Sequence, residues 1–152
     1  MSKPPPTSHP LGRRETLRLM ASEPMGRVIV SEGALPAVHV VPFALDRECV
    51  VFRTPPDSPL AKAALGTVVA FQTDHIDPTA HTGWAGTITG HASRIDDPTT
   101  LTRLNHLLPI PHDPHQAWFR ITSELVTGHA LHPRRPPTPP THPEAAYRRL
   151  PP

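Results

Sequence analysis

One cysteine, Cys49, is present in the whole chain, so there is no internal disulfide framework. Within "RECVVFRT" it reads as a buried, inert thiol on a strand, and the lack of disulfides points to the cytoplasm. No apolar run approaches the roughly 18 residues of a membrane-spanning helix. The opening "MSKPPPTSHP" lacks the apolar stretch of a signal peptide and reads as a flexible leader over residues 1–10. A nucleophile elbow of the G-x-S-x-G type, a Walker A loop and a G-x-G-x-x-G fingerprint are all missing. Elbow-type hydrolysis, ATP chemistry and a doubly wound dinucleotide fold therefore have no motif behind them. Eleven histidines are present, but there is no HExxH and no second thiol. His75, His81 and His91, with Asp74 and Asp77 beside the first, are assigned no metal.

Net positive charge is confined to the end of the chain. The formal net charge is +2, and beyond Pro133 Arg134, Arg135, Arg148 and Arg149 face only Glu144, a net +3 that leaves the body near −1. That is no footprint for a specific nucleic-acid surface. Residues 133–152 hold eight of the 23 prolines, which removes backbone donors and predicts a disordered, polyproline-like tail. A single domain remains between leader and tail, residues 11–132, long enough to bury a core.

Within it, "LGRRETLRLMASEP" predicts a helix over Arg13–Ala21, with Gly12 as its cap, Glu15 at N3 and Pro24 as its stop. Period-two patterning then takes over. "GRVIVSE" and "LPAVHVVPFAL" flank a turn at Glu32 and Gly33, with Val38, Val40 and Pro42 on one face and His39, Val41 and Phe43 on the other. Pro42 inside a strand requires an edge, a bulge or a ligand-facing irregularity. "CVVFRT" follows an Asp46–Glu48 turn, "PPDSPLAKAAL" supplies a short helix, and "GTVVAFQTD" and "GWAGTITGHASRI" supply two more strands. Asp97 and Pro98 start a third helix, and "AWFRITSELVTGHAL" ends the domain with one or two strands. Six strand-like runs and three short helices predict a mainly β fold, an antiparallel barrel.

Two places carry candidate chemistry. In "VFRTPPDSPLAK" a strand delivers Arg53 and Thr54 to its end, and a helix begins near Ser58 with Lys62 one turn later. A guanidinium fork, hydroxyls and the free amides of a helix start suit a phosphate monoester. An exposed strand end and a soluble helix have the same composition. Trp84, between two glycines in "TGWAGTITGHA", is either a core or dimer-contact residue or one wall beside a planar ring, a role open to Phe43 as well.

Taken in order, "GRVIV", "VPF", "VVFRT" with its short helix, "VAFQTDHID", "TGWAGTITGHA" and "AWFRITSELVTGHAL" resemble the FMN-binding split-barrel family, in particular its pyridoxamine 5'-phosphate oxidase-like members. The likeness spans residues 11–132. It implies a six-stranded antiparallel split β-barrel with short flanking helices, a homodimer, and two flavin sites across the subunit interface. It places the FMN phosphate at Arg53, Thr54 and Ser58, lines the isoalloxazine ring with the strand of Val41 and Phe43 through backbone groups, and brings Trp84 toward the cofactor.

Three positions depart from the family pattern. Pro59 stands where relatives carry a basic residue, with Lys62 as the nearest substitute; Pro42 replaces an asparagine; Ala85 replaces a serine. The resemblance implies an FMN-dependent oxidoreductase of a small organic substrate, with His39, His75, His81 and His91 as the available proton donors. A deazaflavin or a heme in the same barrel, and a barrel that only binds without redox chemistry, remain the alternatives.

Overall fold

The computed structural model describes residues 7–108, 110, 111 and 113–133. Residues 1–6 of the leader and all of the tail except Pro133 lie outside them.

Alternation between Met25 and Asp46 produces a hairpin in which β2 (Met25–Glu32) pairs antiparallel with β3 (Leu35–Asp46). Gly33 and Ala34 turn it with φ of 55° and 64°, the left-handed pair whose twist matches the flanking strands. Arg47 and Glu48 repeat that geometry between β3 and β4 (Cys49–Thr54), with φ of 50° and 68°. β5 (Val68–Asp77) and the long β6 (Thr82–Ile95) form the next antiparallel pair, followed by β7 (Ala117–Ile121) and β8 (Leu125–His132).

Pairing runs β6-β5-β2-β3-β4-β7 and returns from β7 to β6, closing a six-stranded antiparallel barrel. Closure is possible because β6 changes partner along its length. Residues Gly83–Thr89 pair with β8, while Ala92–Ile95 pair with β7. β8 therefore leaves the ring, and it carries one strand that the alternation did not predict. β1 (Thr7–Leu11) pairs with it from Thr7 opposite His132 to Leu11 opposite Gly128. Residues 7–10, expected to be part of a flexible leader, are thus in a strand.

Three short helices flank the barrel. α1 (Arg13–Met20) begins after Gly12, and its Glu15 pairs with Arg18 instead of reaching back to the cap. It lies on β6 and β8, where Gly86 and Gly128 admit Met20 and Thr16. α2 (Pro59–Ala64) packs on β2 and is capped by Ser58, whose Oγ accepts the Ala61 amide. α3 (Pro98–Leu104) is capped by Asp97, as the sequence predicts.

Inside the ring, Phe43 and Phe71 meet at 4.6 Å between centroids and Phe52 and Phe119 at 5.6 Å. Each buried ring removes apolar surface worth roughly 2–3 kcal/mol. Outside it, α3 covers a second cluster of Val51, Ile95, Leu104, Leu108 and Trp118. Among the described residues no helix is long and apolar enough to cross a membrane.

Candidate functional site

Side chains alternate across a strand, so neighbours at the end of β4 cannot share a pocket by adjacency alone. Phe52 points into the barrel and Thr54 follows it inward, while Arg53 points out beside Trp118 of β7. There the guanidinium lies 5.2 Å from the indole centroid and donates to the Ile110 carbonyl at 3.1 Å. It lines a cavity of about 90 Å³ with Pro42, Leu108, Ile110 and Gln116. At 7% exposure, Arg53 is tied to the chain after α3 rather than to α2.

Thr54 and Ser58 do come together. Their hydroxyl oxygens are 3.0 Å apart, and Ser58 also accepts the Ala61 amide at 3.1 Å. Two hydroxyls sharing one hydrogen bond leave one O–H uncommitted whichever of them donates. One turn on, exposed Lys62 borders an open groove of about 510 Å³ with Glu32, Gly33, Pro59 and Thr67. Pro59 fills N1 of α2, where its missing amide costs nothing. The anticipated cluster is thus divided: Thr54, Ser58 and Lys62 belong to the α2 side, and Arg53 to the opposite face of β4.

β3 supplies the third element. Val41 and Phe43 are in the core, whereas Val38, Val40 and Pro42 face outward. Its pairing with β2 covers Leu35–Pro42, and its pairing with β4 covers only Phe43–Asp46. Pro42 stands at the changeover, where a residue without an amide hydrogen fits. On the β4 side, Leu35–Val41 therefore present a strand edge without a strand partner among the described residues, and this is the split in the barrel.

Trp84 lies elsewhere. It is half-buried against the core, between His75 of β5 and Ala130 of β8. Ile95, opposite the Trp118 that pairs Arg53, is eleven positions further along β6, roughly 36 Å of extended chain at about 3.3 Å per residue. Trp84 marks the α1 end of the barrel and Lys62 the α2 end.

Histidines and carboxylates complete the electrostatics. His75 Nδ1 is 3.1 Å from Glu23 and His91 Nδ1 is 2.6 Å from Glu124, both histidines largely exposed. His39 is half-buried and bonds Glu32 on the groove wall. The carboxyl of Asp46 is held below its ordinary value by its hydrogen bond to Arg103, assisted by the charges of Arg103, Arg120 and Arg47.

The family model for pyridoxamine 5'-phosphate oxidase matches residues 12–130. The chain belongs to this family. Within the pyridoxamine 5'-phosphate oxidase family it is similar to the uncharacterized protein Rv0080 of Mycobacterium tuberculosis, 35% identical over 78% of this chain and 82% of that protein. A Corynebacterium diphtheriae protein of unknown function superposes with a TM-score of 0.68 at 26% identity, covering 82% of this chain and 98% of the other. An FAD-binding protein from Mycobacterium smegmatis shares the fold at 22% identity, with a TM-score of 0.66 over 82% and 98% of the two chains.

Seen in this family member, the sequence reading of the site overlooked the groove wall. Ser31, Glu32, Gly33 and Thr67 line it beside Lys62. The turn signal at Glu32 and Gly33 was visible, but nothing in it said that α2 would pack alongside.

Proposed function

We propose that this chain is a flavin-dependent oxidoreductase of a small organic substrate, working as a homodimer that holds FMN along the open edge of β3. One observation carries the reading: the β3–β4 ladder ends at Phe43 and Phe52, so the backbone of Leu35–Val41, without a strand partner on that side among the described residues, begins two residues short of the Thr54–Ser58 pair. A strand edge offers alternating donors and acceptors, which suits the rim of a planar heteroaromatic ring. The uncommitted hydroxyl and the Lys62 ammonium suit a phosphate. These donors fit FMN in kind. The family match and the flavin-binding neighbour support the same cofactor class.

When bound, the flavin supplies hydride or electron transfer. The chain's own residues position and shield it. Val38 and Val40 stand 59% and 64% exposed on the outer face of β3, in register with Ile29 and Arg27 of β2, and Val68 extends the apolar surface on β5. A second copy seated on this face removes both the valines and the cofactor edge from water. Because Trp84 and Lys62 mark opposite ends of the barrel, a flavin site that uses both takes them from different copies.

Two outcomes follow. Lys62→Ala weakens FMN binding by about tenfold, the loss of one charge-assisted contact, while the thermal midpoint stays put. Fluorescence titration of cofactor-free protein reads this, and equal affinities would contradict the phosphate assignment. Val40→Asp places a charge on the proposed interface and shifts the dimer to monomer in analytical ultracentrifugation; an unchanged dimer moves the interface elsewhere.

A further inference from the structure

A cavity of about 400 Å³ lies at the α1 end of the barrel, between the turn after α1, the Pro42–Leu45 stretch of β3 and the chain after α3. Its wall includes Met25, Pro42, Phe43, Leu107, Leu108 and Ile110. Met25, Leu107 and Ile110 are each at least 40% exposed there, an apolar surface of the kind that usually meets a partner. Among the described lining residues a single one is charged, Glu23. The cavity also abuts the C-terminal end of α1, at Ala21 and Ser22.

We propose that this cavity binds a small organic cation: an ammonium group held by the Glu23 carboxylate, with a hydrocarbon body among Met25, Leu107, Leu108 and Ile110. The size is that of a small-molecule pocket, and its make-up, apolar walls with one placed polar group, is what such pockets use for orientation. Charge complementarity selects the ligand. A carboxylate at the rim of an apolar wall repels an anion and pairs with an amine, and an amine ligand would compete for it with His75, which is largely exposed with its Nδ1 3.1 Å from Glu23. The nearest cation of the adjoining small cavity, Arg53, is engaged by the Ile110 carbonyl and by Trp118. The assignment does not depend on Lys62, which borders its groove at the Glu32 end of β2, whereas this cavity borders Met25 at the other end.

Methyl-resolved NMR of the full chain, titrated with phenethylamine and separately with hydrocinnamate, tests it. Phenethylamine is expected to shift the Met25, Leu107, Leu108 and Ile110 methyl signals saturably and leave methyls of the α2 groove unmoved, while hydrocinnamate does nothing. Glu23→Gln weakens the amine by about tenfold or more, and Leu107→Trp, which narrows the mouth, weakens it as well. No saturable shift, equal binding of the carboxylate probe, or a Glu23→Gln variant that binds like wild type would each overturn the proposal. So would methyl shifts that track protein concentration without ligand, which would mean that a second copy fills the cavity.

Discussion

Gly90→Ala destabilises the domain by about 3 kcal/mol or more, enough to leave a marginal fold largely unfolded. The reason is the corner at which β6 changes partner. Thr89 is the last residue paired with β8 and Ala92 the first paired with β7, so the connection from β7 to β8 must cross β6 at Gly90 and His91. Thr122 makes that crossing, its amide donating to the His91 carbonyl at 3.1 Å and its Oγ1 accepting the His91 amide at 3.1 Å. A Cβ on Gly90 would sit 1.7 Å from the Thr122 carbonyl oxygen and 2.7 Å from its carbon. Backbone on both sides cannot yield as a flexible side chain would, so relief means opening the corner that closes the barrel. Gly12→Ser is the control: a Cβ there meets nothing within 4 Å, and the new hydroxyl can cap α1. Urea denaturation of both variants checks the contrast, and a Gly90→Ala protein as stable as wild type would mean that the strands part at a different place.

Asp46→Asn costs about 2–3 kcal/mol at neutral pH. Asp46 closes β3 at 6% exposure and accepts both terminal nitrogens of Arg103 from α3, with Arg120 of β7 at 3.5 Å. One carboxylate thus ties the β3–β4 turn to the helix covering Val51, Leu104 and Trp118. The amide keeps the shape and loses the charge. The figure lies below that for a fully buried pair because both arginines are about a third or more exposed and regain water.

The pH dependence has a definite sign. The folded-state pKa of Asp46 is depressed, so between it and the ordinary carboxylate value the unfolded chain binds the extra proton. Stability from this group is complete above the unfolded value, about 4, and is lost as pH falls through the folded one. The gap between wild type and Asp46→Asn is therefore widest near neutrality and closes in acid. Paired denaturation curves across that range measure it, and a gap that stays constant would remove the charge from the explanation.

The barrel was legible because alternation survives in β2 through β6, where one face is buried and the other is not. The Asp97–Pro98 start was legible for a local reason, a side chain capping its own helix. β1 was not: "TSHPL" is exposed almost throughout and joins β8 through its backbone, which leaves no mark on side-chain identity. The corner at Gly90 was hidden as well, since a glycine in a strand does not say which distant carbonyl approaches it.

At the site, adjacency misled. Arg53 and Thr54 are neighbours in sequence and fall on opposite faces of β4, whereas Thr54 and Ser58, joined across a turn and a helix cap, meet as expected. Trp84 was assigned to the cofactor only through the family resemblance, which brings it toward the flavin. Within one chain Trp84 lies at the α1 end of the barrel and Lys62 at the α2 end, so a site that uses both stands or falls with the dimer.

The visible spectrum of protein purified without added cofactor, with mass spectrometry of whatever denaturation releases, tests the central claim most directly. The account predicts the two-band absorption of an oxidised flavin and release of FMN. Colourless protein that also takes up no FMN when it is supplied, or a heme spectrum in its place, would contradict it.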